Sequence, residues 1–169
     1  MSSFCVLVTG ASRGIGNGLA EALLQFLSLR EDVKSIELMI SARNESALQQ
    51  EAKRLPSLLQ TSCIVNVSVL PCDLSCLDQT EKLFKRFAAL VEQKKQNLPN
   101  VFVLSAAGVH ETAVIQRNDG SWSYTNVDDF TEEEKQQTEN INVNSPVLLY
   151  NRIQELVNSL QCEFEYVYI

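Results

Sequence analysis

Phe4-Cys5-Val6-Leu7-Val8-Thr9-Gly10-Ala11-Ser12-Arg13-Gly14-Ile15-Gly16 decides how this chain is read. Its first part is an uninterrupted apolar run of strand length, and it enters a glycine-rich turn without a break. Beyond the turn, from Asn17 to Arg30, the apolar residues Leu19, Ala20, Leu23, Leu24 and Leu27 recur at helical spacing. Strand, glycine turn and helix in that order set a pyrophosphate on a helix N-terminus, where unpaired N–H groups and the positive end of the dipole favour an anion. In such a turn Gly10 permits the sharp reversal, Gly14 lets backbone approach phosphates, and Gly16 lets the helix pack close to the sheet.

The bulk numbers bound the rest. A chain of 169 residues, 45% hydrophobic and 21% charged, has the size and composition of one soluble globular domain with a sizeable core. Its net charge is −7 and no basic cluster exceeds two adjacent residues, so it offers no electrostatic footprint for nucleic acid or an anionic membrane. The first residues run straight into the opening strand with no basic leader, and no apolar run approaches the ~18 residues of a membrane span. The expected location is the cytoplasm. The five cysteines (Cys5, Cys63, Cys72, Cys76 and Cys162) are odd in number and irregularly spaced, which reads as reduced thiols rather than a disulfide framework. Cys72 and Cys76 stand four apart, but the only histidine, His110, is distant in sequence, and no metal site is expected.

Further along, Ser35 to Ser41 reads as a second strand, and Asn44-Glu45-Ser46 caps a helix from about Ala47 to Leu55 that Pro56 helps to end. Cys63 to Leu70 is a third strand, followed by a helix from the Asp73-Leu74-Ser75 turn to about Lys95. Val101 to Leu104 is a fourth strand, ending in Ser105-Ala106-Ala107-Gly108. A polar loop is expected from Val109 to Phe130. Its Trp122 and Tyr124 are read either as leaning over a flat ring or as a surface excursion. A long helix from about Thr131 to Leu160 follows, with a kink or break expected at Pro146. The alternation of strands and helical crossovers predicts an α/β fold, a Rossmann-type doubly wound parallel sheet with helices on both faces and five strands present.

Together these landmarks resemble the short-chain dehydrogenase/reductase family over essentially the whole chain. Thr9-Gly10-Ala11-Ser12-Arg13-Gly14-Ile15-Gly16 has the family's TGxxxGxG spacing, and Cys72-Asp73-Leu74 is similar to the family's post-strand Asp that contacts adenine. Ser105-Ala106-Ala107-Gly108 stands where the family has Asn-Asn-Ala-Gly, so only Ala107 and Gly108 match by identity, and a side-chain role for the two asparagines is lost. Val8 to Gly14 and Ile40-Ser41-Ala42-Arg43-Asn44-Glu45-Ser46-Ala47-Leu48 are most similar to the sepiapterin-reductase branch. Asn142 aligns with the family's helix asparagine that holds a proton-relay water, and reads equally as a polar residue on a helix face. The resemblance implies a cofactor site of Gly10, Ala11, Ser12, Arg13, Gly14, Ile15, Gly16, Arg43, Asn44, Asp73, Leu74, Ala107 and Gly108. It also implies a small carbonyl substrate, and homodimerisation of a full-length enzyme.

Which nicotinamide cofactor follows from charge. An NAD enzyme places a carboxylate just after the second strand for the ribose 2′-OH, and that carboxylate would repel a 2′-phosphate. Here the position reads Ser41-Ala42-Arg43-Asn44, and a guanidinium forks onto phosphate oxygens. Arg43 alone reads equally as a solvated arginine; paired with Arg13 in the glycine turn it points to NADP (NADPH).

The family's acid is a Tyr whose pKa a Lys four residues on lowers, with a Ser steadying the substrate oxygen. None of the four tyrosines here has that lysine: Tyr150 is followed at that distance by Gln154 and Tyr124 by Asp128, while Tyr166 and Tyr168 are too near the end. Phe164 to Ile169 reads as the fifth strand, an apolar sheet edge without turn or cap. The expectation is the N-terminal, cofactor-binding portion of a longer reductase, inactive alone; the alternative is a non-catalytic nucleotide-binding or interaction module derived from one.

Overall fold

The run from Phe4 to Thr9 is buried throughout, as a continuous apolar stretch at the centre of a parallel sheet should be. The computed structural model describes residues 2–59, 63–94, 99–107, 114–116, 122–124 and 130–169. Its strands are β1 (Ser2–Thr9), β2 (Val33–Ser41), β3 (Ile64–Val69), β4 (Asn100–Ser105), β5 (Val114–Gln116), β6 (Trp122–Tyr124) and β7 (Phe164–Tyr168). Its helices are α1 (Gly14–Ser28), α2 (Glu45–Ser57), α3 (Leu77–Gln93), α4 (Glu132–Glu139) and α5 (Ser145–Leu160), with a π turn (Asn140–Asn144) between the last two.

Five strands form one parallel sheet in the order β3-β2-β1-β4-β7. The chain steps outward from β1 through β2 to β3, then returns to lay β4 on the other side of β1. At that reversal the connections leaving β1 and β4 diverge and open a crevice at their carboxyl ends, where open α/β sheets bind ligands. One face of the sheet packs Val6, Val8, Ile36 and Leu38 against Ala20, Leu24, Leu27 and Leu48 of α1 and α2. The other packs Leu7, Val101 and Val103 against Phe87 and Val91 of α3 and Leu149 and Ile153 of α5. Each of these fully buried side chains larger than alanine contributes about 1.5–3 kcal/mol.

The expected elements are present, with boundaries moved by a few residues. The predicted loop after β4 contains an antiparallel pair, β5 with β6, which the sequence reading did not anticipate. The expected long helix is interrupted just ahead of Pro146, by the π turn at Asn140–Asn144 rather than by a sharp break, and Pro146 sits in the first turn of α5. The Ser145 N–H reaches back five residues to the Asn140 carbonyl, and Pro146 has no N–H to give the Asn142 carbonyl one turn earlier. That carbonyl accepts instead from the Tyr168 hydroxyl of β7, while the Tyr166 hydroxyl donates to Pro146 O at 3.0 Å.

No helix among the described residues is long and apolar enough to cross a membrane. Burial, followed by the nearby Glu37 charge, pushes the Cys5 thiol up to about 12, and burial pushes Cys72 up to about 11. Both are thiols at neutral pH.

Candidate functional site

All five parallel strands end within a few residues of one cavity at the carboxyl edge of the sheet. The cavity holds about 690 Å³, within the range of small-molecule sites. Gly10, Ser12, Arg13, Gly14, Ile15 and Gly16 line it after β1, and Arg43 and Asn44 after β2. Asp73 and Leu74 follow β3, and Ala107 follows β4. Eleven sequence-predicted site residues thus meet at one place.

The glycine turn is built by close approach. Gly10 has φ +69°, and a β-carbon there would stand 2.6 Å from the Ala106 carbonyl oxygen, so β1 and β4 come together at their ends only with glycine at this position. Gly16 is tighter still, with a β-carbon falling 2.4 Å from the Gly10 carbonyl oxygen. Helix α1 therefore starts directly against the end of β1. Its N-cap is Arg13, which offers no side-chain acceptor, and its first turn has no acidic residue. The first N–H groups of α1 are left to whatever enters the cavity, and the helix dipole favours an anion there.

Arg13 and Arg43 are exposed at this mouth, and among the described residues neither is in an ion pair. Arg30, Arg54 and Arg152, by contrast, are each held by carboxylates. Two unpaired guanidinium groups beside an uncapped helix start make the cavity mouth electropositive in a chain of net charge −7.

Other predicted residues have structural duties. Asn44 caps α2, its Oδ1 accepting from the Ala47 N–H at 3.0 Å. Asp73 Oδ1 accepts from the Ser75 N–H at 3.0 Å, and the Asp73 N–H donates to Gln79 at 3.0 Å. Leu74 is largely buried where it lines the cavity, and its carbonyl accepts from the Ser145 hydroxyl at 2.7 Å. Ala11 is buried and does not line the cavity. Asn142 lies in the π turn, one residue beyond Ile141, which does line it. Gly108 lies outside the described residues, as do most residues of the 109–130 segment.

The sequence reading missed several wall residues, among them Ser41, Ala106, Ile141 and Ile169. Ser41 is informative because its hydroxyl is buried without a hydrogen-bond partner among the described residues. A small polar residue ending an apolar strand just before Ala42-Arg43 was the available signal. The buried Ser105 at the end of β4 makes a side-chain contact across the sheet: Thr9 Oγ1 donates to its hydroxyl at 3.4 Å.

The fold is that of solved short-chain dehydrogenases and reductases. A metagenomic short-chain oxidoreductase solved in complex with NADP is 18% identical and superposes with a TM-score of 0.67, covering 98% of this chain and 61% of its own. A short chain dehydrogenase from Mycobacterium smegmatis is 20% identical with a TM-score of 0.69, covering 99% and 57%. L-Sorbose reductase from Gluconobacter frateurii, complexed with NADPH and L-sorbose, is 15% identical with a TM-score of 0.67, covering 98% and 52%. The chain therefore spans little more than half the length of these structures. No protein-family model and no curated protein sequence matches it.

Proposed function

We propose that this chain is the NADP(H)-binding part of a carbonyl reductase of the short-chain dehydrogenase/reductase family. The observation that carries the reading is the convergence of an acid-free, uncapped start of α1 with unpaired Arg13 and Arg43 on one cavity at the strand-order reversal. The residues present fit the dinucleotide. The turn from Ser12 to Gly16 would take the pyrophosphate, Arg43 with Arg13 the 2′-phosphate, and Asp73 and Leu74 the adenine side. The orphaned Ser41 hydroxyl is a buried polar atom that a bound group would satisfy. The structures cited above that contain NADP or NADPH support this choice of cofactor.

NADPH supplies a hydride when bound. In the whole protein the proposed reaction is reduction of a small ketone or dicarbonyl, with a pterin side-chain ketone favoured by the sepiapterin-reductase-like segment Ile40 to Leu48. No tyrosine of this chain is followed by lysine at the fourth position, so the activity proposed for these 169 residues alone is cofactor binding without turnover. Titration calorimetry of the chain with NADPH and NADH tests this. Saturable heat with NADPH, and at least tenfold weaker binding of NADH, is expected. Absence of heat with both ligands refutes the reading.

A further inference from the structure

A polar relay joins helices α1 and α2 and ends on the glycine turn. Arg54, on α2, is held by two carboxylates: its Nε lies 2.7 Å from Glu51 Oε2 and its Nη1 2.8 Å from Glu21 Oε2. The remaining Nη2 donates to Asn17 Oδ1 at 3.2 Å. That donation, with the Glu51 carboxylate beside Asn17, sets which way the Asn17 carboxamide faces, because the reversed amide would set an NH2 group against a guanidinium that only donates. With its oxygen turned to Arg54, Asn17 presents Nδ2 to the Ala11 carbonyl at 3.1 Å. Ala11 is pinned on its other side as well, its N–H donating to Ser41 O at 3.1 Å.

The Ala11 carbonyl and the Ser12 N–H belong to one planar trans peptide and point in opposite directions. Holding the carbonyl toward Asn17 therefore turns the Ser12 N–H away from the α1–α2 flank, and Ser12 lines the cavity. We propose that Asn17 and Arg54 are positioning residues for the anion site: Arg54 fixes the Asn17 carboxamide, and Asn17 fixes the peptide that aims the Ser12 N–H at the cofactor's pyrophosphate. The proposal rests on the dinucleotide reading above and assigns to that site two residues that do not touch it.

The test uses the full chain and two ligands, NADPH and adenosine 2′-monophosphate, which carries the 2′-phosphate but no pyrophosphate. Asn17→Leu removes the relay without changing charge. Its NADPH affinity is expected to fall about tenfold, the worth of one well-made hydrogen bond to a charged group, while affinity for adenosine 2′-monophosphate stays within about twofold of the parent. Arg54→Met is expected to show the same split, and Arg54→Lys, which keeps a donor toward Asn17, to recover most of the loss. Should either of the first two variants fail to fold by thermal melt, the other carries the measurement. Unchanged NADPH affinity, or equal loss for both ligands, overturns the positioning role. Failure of the unsubstituted chain to bind NADPH overturns the dinucleotide reading itself, so the two failures are distinct.

Discussion

Gly16 rests on the carbonyl of Gly10: a β-carbon at Gly16 would lie 2.4 Å from that oxygen and 2.8 Å from its carbon. Backbone cannot yield as the tip of a flexible side chain would. Gly16→Ala therefore forces α1 away from the end of β1, at a cost of about 3 kcal/mol, the upper part of the range for overpacking. Gly14 differs, since its φ of +59° is strained for other residues but a β-carbon there meets nothing within 4 Å. Gly14→Ala is expected to cost only about 1–2 kcal/mol. Urea unfolding of the two variants checks the order.

Arg43 is exposed at the cavity mouth, and the proposed ligand it meets is the 2′-phosphate. Arg43→Ala is expected to weaken NADPH by about 10- to 100-fold, in line with loss of a charge-assisted contact. NADH affinity stays nearly unchanged. Parallel titrations read the ratio directly.

Tyr168 supplies the donor that Pro146 withholds from the Asn142 carbonyl. Tyr168→Phe is expected to destabilise the chain by about 1 kcal/mol. In a Pro146→Ala background, where a backbone N–H returns beside that carbonyl, the same substitution costs less. A double-mutant cycle on denaturation midpoints measures the coupling.

At the start of α4, the Thr131 backbone N–H, and then its hydroxyl, hold the Glu134 carboxyl below its ordinary value of 4.5. The two donors lie 2.7 and 2.8 Å from Glu134 Oε2. A carboxyl whose folded pKa is depressed stabilises the fold above the unfolded value, and that contribution disappears as pH falls through the folded value. Amide exchange in Lys135 to Glu139 is expected to quicken, relative to α5, below about pH 4. Glu134→Ala is expected to weaken that pH dependence.

How much of this was legible beforehand depends on how local each signal is. The β1 strand, the glycine turn and α1 lie within 27 residues, and their reading needed only apolar spacing and the turn glycines. The sheet followed from alternation of strands and crossovers, and most of the cavity wall from the rule that such sheets bind at their carboxyl edge. The π turn was not readable, because the fate of the Asn142 carbonyl depends on Tyr168, 26 residues away on another strand. The relay from Arg54 to Ala11 was hidden for the same reason: it joins side chains 37 residues apart in sequence. The β5–β6 pair had a signal that went unused, the turn-forming run Asn118-Asp119-Gly120-Ser121 between two short apolar stretches.

In the proposed complex the dinucleotide phosphates rest on the first N–H groups of α1, between the ends of β1 and β4. Backbone amide shifts of the 15N-labelled chain during NADPH titration test it most directly. The largest movements are expected at Ser12 to Gly16, with smaller ones at Ala42 to Asn44 and at Ala106 and Ala107. The N-terminal edge of the sheet, at Ser35 and Asn100, should stay still. Movements spread over that opposite edge, or none at Ser12 to Gly16 under saturating NADPH, would contradict it.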